Sequence, residues 1–77
     1  MAMEWTDVDS SQIVRIGYDA ETLEARVDFK DRKSGGVSST YSYSLVPKEV
    51  IDGILSAPSV GQAFNQSLKF GFAYRKL

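Results

Sequence analysis

A chain of 77 residues with net charge −1, 43% hydrophobic and 25% charged, has room for one compact domain and no second, and its composition is that of a folded protein. It contains no cysteine and no histidine, which excludes disulfides, thiolate metal sites and a cysteine nucleophile and removes the commonest general base near neutral pH. No run approaches the roughly 20 apolar residues that cross a bilayer, and Met1 to Ser11 is acidic where a secretory leader is basic and then apolar, so the chain is expected to be cytoplasmic and free of membrane contact.

Within a single unit spanning 1–77, residues 1–7 read as an N-terminal extension, about 8–72 as the core, and 73–77 as a tail. An exposed indole is unusual at a disordered end, so Trp5 is expected to pack on the domain or on a partner. Ser10 and Ser11 are placed to satisfy backbone groups where the first strand begins. From Ser11 to Tyr18 the residues are rich in β-branched and aromatic types, and a period of two puts Val14, Ile16 and Tyr18 on one face. A polar turn over 19–22 follows. Leu23, Ala25, Val27 and Phe29 then alternate with Glu24, Arg26, Asp28 and Lys30 in a second strand with one dry and one wet face. Residues 30–36 form a turn with a long tip, punctuated by Gly35-Gly36. Val37, Ser39, Tyr41, Tyr43 and Leu45 alternate with Ser38, Thr40, Ser42 and Ser44 in a third strand. These small hydroxyls read either as a solvent face or as a sheet edge open to another chain.

Three consecutive strands joined by short turns predict an antiparallel meander whose apolar face needs a cover. Pro47 suits the first turn of a helix in which Val50, Ile51, Ile54 and Leu55 fall at helical spacing, ending near Ala57 ahead of Pro58. Ser59 and Gln62 have capping-box spacing, and Val60, Ala63, Phe64 and Leu68 line one stripe of a second helix stopped by Gly71. Residues 72–77 either continue extended along the sheet or fray. The predicted fold is α+β, in the order β-β-β-α-α, with both short helices packed on one face.

The acidic side chains mostly fall at predicted turns and solvent faces. Neither GxGxxG nor GxxxxGK[ST] occurs, and Gly35-Gly36 lies between strands rather than before a helix. No catalytic residue, cofactor or metal is therefore expected, and the chain reads as a binding module rather than an enzyme. Charge is unevenly distributed. Residues 1–28 hold seven acids against Arg15 and Arg26, whereas 53–77 hold Lys69, Arg75 and Lys76 with no acid. Lys30, Arg32 and Lys33 form a second basic cluster at the turn.

Read in order, Ser10-Ser11, Gly17-Tyr18-Asp19, Phe29, Tyr41-Ser42-Tyr43, Val46-Pro47, Ala57-Pro58-Ser59-Val60-Gly61, Phe64-Asn65 and Leu68-Lys69 resemble the KTSC family, small domains named for their occurrence at the C-terminus of some lysyl-tRNA synthetases. The resemblance runs from about Val8 to Phe72. It implies a domain often found alone in bacteria and phages, with a central YxY motif and a suggested role in RNA binding. Two features depart from the family pattern: the stretch between Phe29 and Tyr41 is longer than its usual short turn, and Phe72 stands where the family tends to have tyrosine.

Two classes of partner follow. The first is RNA, with Lys30, Arg32, Lys33, Lys69, Arg75 and Lys76 on phosphates and Tyr41 or Tyr43 stacking an unpaired base. The second is a host or partner protein, engaged by the sheet edge or the 30–36 loop in the manner of an adaptor or inhibitor. The same tyrosines also fit simple core packing, and Ser59 and Gly61 a helix cap with close packing. The Asn65 amide suits a neighbouring loop as well as a partner. A chain this short buries only about 60% of its unfolded surface, so a homodimer through a sheet edge is a further expectation.

Overall fold

In the computed structural model, which describes residues 3–77 apart from the Phe70 side chain, the alternating segments are strands and the two apolar stripes are helices. They run β1 Glu4–Asp7, β2 Ile13–Asp19, β3 Glu24–Lys30, β4 Val37–Tyr43, α1 Lys48–Ser56, α2 Val60–Gly71 and β5 Tyr74–Lys76. Each strand pairs antiparallel with its sheet neighbour, in the order β1-β2-β3-β4-β5. The expected three-stranded meander is thus the middle of a five-stranded sheet. β1 and β5 are four and three residues long and exposed throughout, so they carry no burial pattern and are defined by backbone pairing alone. Of the expected N-terminal extension, Met1 and Ala2 lie outside the described residues.

Because β5 covers β4, the third predicted strand is not an edge; the described edges are β1 and β5. Its hydroxyls bond back to β3 instead. Thr40 Oγ1 donates to Asp28 Oδ1 at 2.7 Å, Ser42 Oγ to Glu24 Oε2 at 2.7 Å and Ser38 Oγ to the Phe29 carbonyl at 3.3 Å. The Ser42 and Arg26 hydrogen bonds hold the Glu24 carboxyl below its ordinary value.

Two irregularities shift the faces that simple alternation assigns. A bulge between Ile13 and Arg15 makes Val14 the extra residue of β2. Ile13 enters the core in its place, and Val14 is only half-buried. A second register shift, between Phe29 and Lys30, pairs Val37 with Lys30 and leaves Val37 exposed. Leu45, expected inside, is 72% exposed: its φ of +56° turns the chain out of the sheet, and buried Val46 takes the core position. Val46 is anchored through its N–H to the Leu23 carbonyl and through its own carbonyl, which accepts from Tyr18 Oη at 2.6 Å.

Both helices lie over the face formed by Ile13, Ile16, Tyr18, Ala25, Val27 and Tyr43, and contribute Ile51, Ile54, Phe64 and Leu68 to one core. Pro47 stands at the N-cap of α1, one position before the first turn. Ser59 caps α2 by accepting from the Gln62 N–H, as its spacing predicts. On the opposite face Arg15 pairs with buried Asp28 at 2.6 Å, and its guanidinium lies 4.1 Å from the centre of the Trp5 ring. Gly17 makes that packing possible, since a Cβ there would stand 2.9 Å from the Trp5 ring. Trp5 therefore packs on the domain itself.

Candidate functional site

Directly paired residues of an antiparallel ladder point to the same side of the sheet. The β4–β5 register opposes Tyr43 to Tyr74 and Tyr41 to Lys76, which sets three phenols and one ammonium on the helix-covered face. Phe64 of α2 meets Phe29 edge-on at 5.4 Å and Tyr43 at 5.7 Å, while Phe29 meets Tyr41 at 5.5 Å. Tyr74 packs obliquely on Tyr41 and Tyr43, with centroids 5.8 and 5.7 Å away. α2 stops short of covering this cluster. What remains is a groove of about 590 Å³ walled by Phe29, Tyr41, Tyr43, Phe64, Phe72 and Tyr74, with Gln12, Ser39, Asn65 and Lys69 between the rings. That volume suits a small organic ligand.

The polar groups of the groove are largely unused by the fold. Among the described residues, the hydroxyls of Tyr41, Tyr43 and Tyr74 and the carboxamides of Gln12 and Asn65 have no hydrogen-bond partner within the protein. None of the lining residues is acidic. Tyr43 is only 3% exposed, yet no fully buried side-chain polar atom among the described residues is unpaired, so the little surface it retains includes its hydroxyl. Burial, reinforced by the neighbouring phenols Tyr41 and Tyr74, pushes the Tyr43 hydroxyl from 10.0 up to about 12. It is therefore a neutral donor at every physiological pH.

The same shift sets an alkaline limit on the fold. The native state holds this proton more tightly than the unfolded chain, so the contribution is fully present below pH 10.0 and is lost as pH rises through about 12. Chemical denaturation followed at increasing alkalinity should show stability falling across that window, and Tyr43→Phe should flatten the fall.

Gln12 reaches the groove because residue 61 lacks a side chain. A Cβ on buried Gly61 would stand 2.5 Å from Gln12 Nε2 and 3.2 Å from Ser10 Oγ, while Ser10 Oγ also accepts from the Gln12 N–H at 3.3 Å. Gly61 thus reconciles the first turn of α2 with the segment leading into β2. Gly61→Ala should displace the Gln12 amide, whose flexible end can move aside. The expected result is a chemical-shift change at Gln12 Nε2 with a thermal midpoint lowered by only a few degrees, roughly what 1 kcal/mol of overpacking produces; an unmoved amide signal would break the link.

The residues marked in sequence do not form one patch. Tyr41, Tyr43 and Lys69 line the groove, and Lys76 shares the face of Tyr41. Arg75 pairs with Ser42 and borders a hollow on the opposite face beside Glu24. Lys30 Nζ donates to the Ser10 carbonyl at 2.7 Å, and Arg32 and Lys33 are exposed at the β3–β4 turn. Sequence reasoning missed Gln12, Phe72 and Tyr74 as site residues. The available signal was the spacing of Tyr74 behind Phe72 in a tail that could extend along β4.

A five-stranded meander roofed by two helices, with an aromatic groove at their margin, defines a small α+β single-domain protein. The model of the KTSC domain matches residues 9–72, and the chain belongs to the KTSC family. It is 37% identical over 67 residues to an uncharacterised protein of Stutzerimonas stutzeri (strain A1501), covering 87% of this chain and 86% of that one. The crystal structure of a KTSC domain protein from Yersinia pestis superposes with a TM-score of 0.83 at 36% identity, covering 99% of both chains. No helix among the described residues is long and apolar enough to cross a membrane.

Proposed function

We propose that this domain is a non-enzymatic cytoplasmic module that binds single-stranded RNA, holding an unpaired base in the aromatic groove. The observation that carries the reading is the groove itself: ring faces with unspent hydroxyls and amides between them, and lysine as the only charged residue type in the lining. Rings stack any base, amides and phenols bond its edge, and Lys69 and Lys76 are the cations on this side that would meet the flanking phosphates. Lys30, Arg32 and Lys33 supply longer-range attraction. Titration of a fluorescein-labelled single-stranded RNA at several salt concentrations tests it. Saturable binding should weaken with salt, with a log–log slope of about −1.4 for two phosphate contacts; absence of binding at micromolar protein would overturn the reading.

A second reading, a protein-binding adaptor, draws on the other face, where exposed Trp5, Val37 and Leu77 border one hollow. Recovery of a single host protein, insensitive to salt and lost in Val37→Glu, would favour it. The β1 and β5 edges are where a homodimer would pair.

A further inference from the structure

Resting on the RNA reading, we infer that the groove selects adenine among the bases. Two carboxamides with no partner inside the protein line it, Gln12 from the segment before β2 and Asn65 from α2. A carboxamide sets one donor beside one acceptor. Adenine is the base whose amino group is flanked by a ring-nitrogen acceptor on each side, so a carboxamide bonds it in bidentate fashion on either edge, and Asn or Gln is its usual reader. Two amides from separate elements can therefore engage both edges of one adenine. Guanine offers one carboxamide the pair O6 and N1–H, but its other edge carries two acceptors, N7 and O6, and no donor, so a second carboxamide finds no donor–acceptor pair there. Its two adjacent donors, N1–H and the 2-amino group, call for a carboxylate, and the lining holds none. Pyrimidines offer a smaller ring to stack against Tyr41 and Tyr74. Tyr43, a lining residue only 3% exposed, adds a hydroxyl with no acceptor in the protein, a donor that a third ring nitrogen of adenine can match.

The test is fluorescence anisotropy with short labelled oligouridines carrying one central adenosine, guanosine or cytidine. The adenosine oligomer should bind about tenfold tighter than the guanosine one, the discrimination of a good bidentate pair. Asn65→Asp replaces a donor with an acceptor, and Gln12→Glu does the same on an exposed residue whose change leaves the core untouched. Added negative charge weakens every RNA alike, so the readout is the adenosine-to-guanosine ratio, which should collapse toward one or invert in either variant. Equal affinity for all three oligomers, or an unchanged ratio in both variants, overturns adenine selection while leaving base stacking in place. Failure of every oligomer to bind overturns the RNA reading and this inference with it.

Discussion

Phe64→Ala should cost about 3–5 kcal/mol, the range for deleting a buried aromatic ring, and lower the thermal midpoint by about 15 °C or more at the sensitivity of a domain this size. Phe64 is 2% exposed and holds edge-on contacts with both Phe29 and Tyr43, so its ring fills the space between α2 and the sheet. The total stability of such a domain is only about 5–15 kcal/mol, which makes this loss a large share of it. Circular dichroism melting of wild type and variant supplies the measurement. A midpoint within a few degrees of wild type would mean that α2 does not depend on this ring for its seat on the sheet.

Tyr74→Ala should separate binding from folding. Its ring is 59% exposed on edge strand β5, so the melting curve should barely move. The same ring stands beside Tyr41 and Tyr43 at 5.8 and 5.7 Å and forms the outer wall of the groove. Loss of one stacking platform costs about 1–3 kcal/mol per base, and affinity for single-stranded RNA should fall by about tenfold. Unaltered affinity in a fully folded variant would take Tyr74 out of the site.

Much of the core was legible because the apolar side of β3 alternates: Ala25 and Val27 are buried as their period demands, although Asp28 on the other side is buried too and Leu23, expected inside, is exposed at a φ of +61°. Ile51, Ile54, Phe64 and Leu68 fall on the expected helical stripes. Alternation fails where the backbone departs from regularity. The β2 bulge exchanges Val14 for Ile13, and the positive φ of Leu45 ejects a leucine that the pattern had placed inside. Both depend on neighbouring strands rather than on local residue type. β1 and β5 were illegible for a related reason: strands exposed along their whole length leave no hydrophobic period to read.

The groove needed three separate elements to converge, β4 with Tyr41 and Tyr43, α2 with Asn65 and Lys69, and β5 with Tyr74. Tyr41 and Tyr43 divide the two roles weighed for them, since Tyr43 is a core residue with its hydroxyl at the surface and Tyr41 is half-buried. Lys69 and Lys76 share the groove side, whereas Arg75, adjacent in sequence to Lys76, is turned away by the two-residue period of β5.

The seat of Trp5 over Gly17 and Arg15 has a practical use. The chain has a single tryptophan and four tyrosines, and the indole lies across the sheet from the three phenols of the groove. The indole therefore reports on the face opposite the groove: its emission follows the docking of β1, and that surface needs no attached dye.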